Sequence, residues 1–218
     1  MDSASSGSSA STDRQWFIVG RWQEYVGEAR ANLLRIAAVG AFYLIELANY
    51  HGVSLGPLEI PSTVDLEFHR VMTALAVAWT MVALATFVCL RLRIFPAALK
   101  YITTASDVIL LTTVLTVADG PRSPLVAGYF LVIAVSTLRF QLRLVWCSTL
   151  GCMVGYLFLT GYARWFADRD LTVPRHYQLI MLLALALTGI TLGQVIRRVR
   201  AMATEFAERV DSLRRPDR

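Results

Sequence analysis

Long apolar stretches alternate with short polar segments along most of this 218-residue chain. A helix needs about 20 apolar residues to cross roughly 30 Å of hydrocarbon, because each residue adds about 1.5 Å. Four stretches have this length: Ala31–Tyr50, Val71–Leu90, Leu144–Phe166 and Tyr177–Ile196. Each is predicted to be a membrane-spanning helix.

Two shorter apolar stretches, Tyr101–Ala118 and Leu125–Leu138, lie between the second and the last two of these spans. The turn-forming sequence DGPRSP separates them. The first stretch is slightly short for a span, and the second has only 14 residues before Arg139. Either both cross the membrane, with Arg139 and Arg143 reaching the interface through their long side chains, or the two form a re-entrant hairpin.

Both alternatives give an even number of crossings, so the two termini lie on the same side of the membrane. Sixteen of the 21 Lys and Arg residues fall on that side. The other five are Arg70, Arg122, Arg164, Arg169 and Arg175. Because positive charge stays in the cytoplasm, we predict cytoplasmic termini in a bacterial-type inner (plasma) membrane. The predicted fold class is an all-α integral membrane protein with about six transmembrane helices in a bundle.

The segments outside the six-span domain, residues 31–196, have their own patterns. The Ser-rich residues 1–13 predict a disordered tail. Residues 14–30 mix aromatic and charged side chains at helical spacing, which predicts an amphipathic helix on the cytoplasmic membrane surface. The alternative is a cytoplasmic extension of the first span. Residues 197–218 are predicted to form a cytoplasmic exit helix and tail.

Composition agrees with a membrane protein. The chain is 56% hydrophobic and 17% charged, with a mean hydropathy of +0.51, whereas soluble domains carry about 25% charged residues. The net charge of +5 lies in short segments between the apolar stretches, so the predicted partner is the lipid bilayer and not nucleic acid. Cys89, Cys147 and Cys152 all lie in apolar stretches without a CxxC motif, which predicts buried free thiols. Reversible acylation near a membrane face is the alternative.

Glycines recur four residues apart in the last two spans, as Gly151-x-x-x-Gly155 and Gly189-x-x-x-Gly193. Lipid tails are as apolar as leucine, so helices in a membrane associate through close backbone contact at small residues or through polar contacts. The glycines therefore predict helix packing, either within one chain, which is favoured, or between two copies.

Two ionisable residues lie well inside predicted spans. Asp107 is about two helical turns into the third span, where a charged group costs several kcal/mol unless it is paired, protonated or facing water. Arg35 lies at a comparable depth in the first span, so an Arg35–Asp107 ion pair is the favoured prediction. A neutral Asp107, a small polar cavity and a proton or ion relay are the alternatives.

Glu46 lies one turn from the outer end of the first span, and His51, His69 and His176 fall at the same outer face. Such a set can bind a metal, ligate haem or sense external pH. No two of the histidines have HxxxH or HExxH spacing, so we expect separate interfacial histidines, with no metal site and no cofactor.

No catalytic residue can be assigned from the sequence, because it has no HExxH, GxSxG or paired-aspartate metal motif. It also has no internal repeat with glycine- or proline-broken spans of the kind found in secondary transporters. A non-enzymatic protein is therefore favoured, and an enzyme with an unrecognised site is an alternative.

The last span continues into the sequence GQVIRRVRAMATEFAERVDSLRRPDR. Apolar residues recur there at spacings of three and four, which indicates one face of a helix. These residues are Val199, Met202, Phe206, Val210 and Leu213. This apolar face, here called the exit stripe, is predicted to contact a cytoplasmic protein or a second copy of the chain.

With this exit helix, residues 31–213 resemble the membrane portions of bacterial sensor proteins such as histidine kinases and class III adenylyl cyclases. In those families about six spans lead into an exit helix that dimerises and controls a soluble output domain. The present chain ends at Arg218 without a phosphoacceptor or cyclase domain, so no catalytic residue is carried over. The resemblance implies a sensory, anchoring or scaffold module that acts on another protein. The alternative function is a small transporter or channel-like protein that uses Asp107, Arg35 and Glu46.

Overall fold

The structure, a computed structural model, describes residues 5–55, 58–60, 64–92, 96, 98–167 and 171–214. Its helices are α1 (Ser5–His51), α2 (Leu66–Arg91), α3 (Leu99–Val117), α4 (Gly128–Thr137), α5 (Leu142–Trp165) and α6 (Arg175–Arg214). Two strands, β1 (Val53–Leu55) and β2 (Leu58–Ile60), pair antiparallel between α1 and α2. The described part of the chain is thus all-helical apart from this short hairpin.

Within the described residues, five helices are long and apolar enough to cross a membrane. They are Tyr25–His51 of α1, α2, α3, α5 and Arg175–Phe206 of α6. The segment predicted as a sixth span is shorter: two 3₁₀ turns, Gly120–Arg122 and Pro124–Ala127, precede α4, and the apolar helical segment is Pro124–Thr137. Five helices of the described residues could thus cross a membrane by length and composition, which supports a membrane protein. A sixth crossing stays a prediction.

Helix α1 continues through the segment that the sequence divides into a tail, a surface helix and a span. It begins at Ser5 and ends at His51, a length of 47 residues. The helix is uninterrupted because the first proline of the chain is Pro57 and no other strong helix breaker precedes it. Gly52, with a φ of 67°, then ends the helix in the left-handed region that glycine adopts without strain. The position of residues 14–30 on the membrane surface stays a prediction.

The chain forms two compact units, Met1–Lys100 and Tyr101–Arg218. In the first unit α1 and α2 pack antiparallel, and polar contacts join them at several levels. Asn32 Nδ2 donates to the Ala83 carbonyl oxygen at 3.1 Å, and the Tyr43 and Thr73 hydroxyls are 3.2 Å apart. Asp65 begins α2 by accepting a hydrogen bond from the Leu66 backbone N–H at 2.7 Å.

In the second unit each helix packs antiparallel to the next. A β-carbon at Gly128 of α4 would lie 3.0 Å from Leu111 Cδ1 of α3, and the Ser136 and Ser148 hydroxyls join α4 to α5 at 2.8 Å. The largest fully buried apolar side chains of this unit are Leu115, Tyr129, Ile133, Leu144, Leu159 and Leu185. They form its core.

Apolar side chains also cover the outside of the spanning helices. Leu179, Ile180 and Leu183 of α6 are exposed, while hydroxyl residues such as Thr103 and Ser148 are buried. A soluble domain rarely presents so large a continuous apolar surface to water. This arrangement suits a hydrocarbon environment, where packing between helices relies on small and polar groups.

Candidate functional site

Helix α6 continues well beyond Ile196, the predicted end of the last membrane span. It runs for 40 residues, or about 60 Å, which is twice the roughly 30 Å of hydrocarbon. Three residues of the exit stripe, Val199, Met202 and Phe206, are 37%, 53% and 71% exposed. The side chains of Val210 and Leu213 lie outside the described part of the structure, although α6 includes their backbone.

Two polar contacts stabilise the start and the middle of this exit segment. The Arg200 guanidinium donates to the backbone carbonyl oxygen of Phe140, in the turn between α4 and α5. Phe140 itself has a φ of 50°, which is uncommon for a residue other than glycine. Glu205 and Arg209 form an exposed pair at 2.6 Å, one turn apart on α6. Within the second unit, Arg200 thus joins α6 to the α4–α5 turn just where the exit stripe begins.

A group of polar side chains is buried between α3 and the end of α4. The Arg139 guanidinium donates to the hydroxyl oxygens of both Thr103 and Thr104, the former at 3.0 Å. Arg139 is only 4% exposed, and whether its side chain reaches the membrane interface stays a prediction. The threonines satisfy part of its hydrogen-bonding capacity, which lowers the cost of burying a charge.

Asp107 belongs to the same buried face of α3. It lies four residues after Thr103 and three after Thr104, so all three point to one side of the helix, and Asp107 is buried. Asp107 comes about two turns after the start of α3 at Leu99, and its depth in a membrane stays a prediction.

Arg35 is buried in the first unit, in a polar row on one face of α1. Its Nη1 donates to Asn32 Oδ1 at 2.8 Å, and Glu28, seven residues before Arg35, is fully buried. The sequence prediction missed Glu28 because it assigns residues 14–30 to a surface helix, and it did not single out Asn32 within the first span. Spacings of four and three residues already align Glu28, Asn32 and Arg35. Arg35 and Asp107 belong to different units, so their pairing stays a prediction.

Glu46 and His69 meet near the ends of α1 and α2. His69 Nδ1 lies 2.9 Å from Glu46 Oε1, and the Tyr50 ring stacks on the His69 ring with centroids 4.0 Å apart. The His51 ring meets the same Tyr50 ring edge-on, with centroids 5.0 Å apart, and its Nδ1 lies 3.1 Å from the Leu47 carbonyl oxygen. His176 lies in the second unit, beside Tyr177. Nowhere in the described ranges do three His, Cys, Asp or Glu side chains come together to hold a metal ion.

The four predicted packing glycines lie against neighbouring helices of the second unit. A β-carbon at Gly189 would lie 2.3 Å from Thr149 Oγ1, and one at Gly155 would lie 2.8 Å from Thr112 Oγ1. Gly151 and Gly193 allow more room, with nearest distances of 3.6 Å and 3.2 Å. The tightest contact therefore joins α6 to α5.

Hydroxyl groups form a second buried network around Gly155. The Thr112 and Tyr129 hydroxyl oxygens are 2.8 Å apart, and both approach Gly155. Thr112 also donates to its own helix, at the Val108 carbonyl oxygen. Such hydrogen bonds within and between helices are typical of membrane bundles, and the sequence does not indicate which hydroxyls pair.

No protein-family model, curated protein or solved structure matches this chain. The case for a function therefore depends on the exit stripe, the polar groups inside the spans and the charge distribution.

Proposed function

We propose that this protein is a non-enzymatic membrane module that senses or anchors, and that transmits to a cytoplasmic partner through the exit stripe of α6. The observation that carries the proposal is the continuous helix from Arg175 to Arg214. A helix without a break transmits a shift or rotation from its membrane-spanning part to its far end. The exposed Met202 and Phe206 then give a partner an apolar surface to bind.

The proposal includes six crossings with both termini in the cytoplasm. The 14 residues of Pro124–Thr137 extend about 21 Å, which is short for a span. However, Arg139 just beyond them contacts Thr103, only one turn from the start of α3. The chain from Pro124 to Arg139 therefore leads back almost to the level at which α3 begins. This supports a sixth crossing. The excess of Lys and Arg on one side supports the orientation.

The test is site-specific photo-cross-linking along α6 of the full chain in its membrane. A photoreactive amino acid is introduced at Val199, Met202 or Phe206 in the stripe, and at Ala201 or Thr204 on the opposite side of the helix. We expect adducts from the three stripe positions and several-fold less from the two controls, because only the stripe faces the partner.

The adducts identify the partner by mass, either a second copy or another cytoplasmic protein. Equal adduct yields at all five positions, or none at the stripe, would contradict the proposed coupling role. Matching expression of the five variants excludes a folding defect as the cause.

A further inference from the structure

The second unit has an apolar groove between α3 and α5 that the proposed function does not use. Its volume is about 660 Å³, within the range of small-molecule sites. Residues between 101 and 113 line it on α3, and residues between 144 and 158 line it on α5. Gly151 lies midway along its α5 side, where the missing side chain leaves room.

The hydroxyl groups of this groove already have partners within the protein. Thr112 and Thr113 donate to carbonyl oxygens of their own helix. Ser148 bonds to Ser136, and Thr104 accepts from Arg139. An occupant therefore meets an apolar surface and needs no polar groups of its own. An acyl chain fits that requirement.

The length of the groove corresponds to one leaflet. From residue 101 to residue 113 the α3 side measures about 18 Å at 1.5 Å per residue. The hydrocarbon core of a bilayer is roughly 30 Å thick, so the groove extends slightly more than halfway across. A single acyl chain that enters from the end near Tyr101 and Leu144 fills it.

A cation lies at that end. Arg143 is exposed and comes four residues before the groove residue Cys147, so the two share a face of α5. Exposed Trp146 and Phe140 flank it, as aromatic side chains do at the headgroup level. Arginine binds phosphate oxygens through charge-assisted hydrogen bonds.

We propose that the groove binds one acyl chain of an anionic phospholipid and that Arg143 contacts the phosphate of its headgroup. The lipid belongs to the leaflet beside the α4–α5 turn, which is the cytoplasmic leaflet if the orientation under the proposed function holds. A second copy fits less well as the occupant. Two copies in one membrane have the same orientation, so a symmetric contact here would bring both Arg143 side chains to the same level.

Native mass spectrometry of the full chain, with phosphatidylglycerol and phosphatidylcholine added in equal amounts, tests the binding. We expect one phosphatidylglycerol per chain, saturating with concentration. Gly151→Leu fills the groove, and the nearest atom to its β-carbon is 3.6 Å away, so the fold accommodates it while affinity falls about tenfold or more. Gly161→Leu is the matched control on α5, with open space around it, and keeps wild-type affinity.

Arg143→Gln tests the headgroup contact separately. We expect it to reduce the preference for phosphatidylglycerol about tenfold while a lipid still binds. Unsaturable binding that is equal in the two glycine variants would indicate ordinary boundary lipid and overturn the proposal. A dimer that Gly151→Leu dissociates, with no retained lipid, would indicate a second copy and overturn it as well.

Cys147 gives a measurement on the unmodified protein. It lies in the groove and is exposed, so bound phosphatidylglycerol is expected to slow its reaction with N-ethylmaleimide several-fold relative to phosphatidylcholine, as followed on the Cys147 peptide. Equal rates in the two lipids would contradict the proposal. None of these outcomes depends on cross-linking from α6, so a failure here is distinguishable from a failure of the proposed function.

Discussion

Among the glycines whose surroundings are described, Gly189 leaves the least room for a β-carbon. A β-carbon there would lie 2.3 Å from Thr149 Oγ1 and 2.6 Å from Thr149 Cγ2, which is closer than two such atoms approach. We expect Gly189→Ala to lower the free energy of unfolding by about 1–3 kcal/mol, although alanine favours a helix more than glycine does. Thermal unfolding in detergent, followed by circular dichroism, measures the change.

Gly161→Ala is the matched control, because nothing lies within 4 Å of its β-carbon. It should leave the unfolding temperature unchanged or raise it slightly, as removing a helical glycine does. Thr149→Ala in the Gly189→Ala background removes the two closest atoms and is expected to restore most of the loss. If the double variant is as unstable as Gly189→Ala, the contact with Thr149 does not cause the effect.

Helices α2, α3 and α5 follow from the sequence with differences of a few residues at their ends, whereas α1 begins well before its predicted span. The predicted Val71–Leu90 lies inside α2, which begins at Leu66 because Asp65 caps it, and Leu144–Phe166 matches α5 closely. Apolar length predicts the part of a helix that lies in hydrocarbon. It does not predict how far the helix continues into the interface, because capping residues and prolines determine where a helix ends there.

Contacts between elements are much less predictable. Arg139 and Thr103 are 36 residues apart in the chain. The apolar pattern of α4 does not indicate which helix Arg139, just beyond its end, will contact. The ionisable residues inside the spans are visible in the sequence because each is costly in lipid, and the packing glycines are visible because they recur four residues apart. Their partners depend on the relative rotation of neighbouring helices, which periodicity alone leaves open.

The attachment of α4 to α3 gives a prediction at the scale of elements. Arg139→Gln shortens the side chain and removes its charged donors to Thr103 and Thr104. Hydrogen bonds to charged groups contribute about 1.5–3 kcal/mol each, but the variant also removes the cost of burying the charge. We therefore expect a net loss of roughly 1–3 kcal/mol in the free energy of unfolding. Denaturant titration in detergent micelles measures it.

Arg143→Gln is the control for this change, since Arg143 is exposed and a surface substitution alters stability by about 0.5 kcal/mol or less. Arg139→Lys keeps the charge but lacks the planar guanidinium that reaches both hydroxyls, so we expect intermediate stability. Equal stability of the Gln variants at 139 and 143 would contradict a role for Arg139 in holding the hairpin.

At the scale of the whole molecule, the distribution of charge and the lengths of the helices lead to different numbers of membrane crossings. The difference is whether α4 crosses the membrane. Length alone gives five spanning helices in the described residues, which puts the termini on opposite sides. The distribution of Lys and Arg gives an even number. A pair of cysteine variants separates the possibilities: Asp119→Cys, between α3 and α4, and Arg143→Cys, at the start of α5, each made with Cys147→Ala. Both chosen positions are exposed.

With six crossings, a membrane-impermeant maleimide labels residue 119 in intact cells, and residue 143 only after the cells are permeabilised. If α4 fails to cross, α5 begins on the outer side, so residue 143 is labelled in intact cells as well. If residues 101–138 form a re-entrant hairpin, residue 119 stays unlabelled until permeabilisation. The short α4 is compatible with full crossing because a bilayer thins around a short hydrophobic segment at a cost of only fractions of a kcal/mol per Å, so we expect the first pattern.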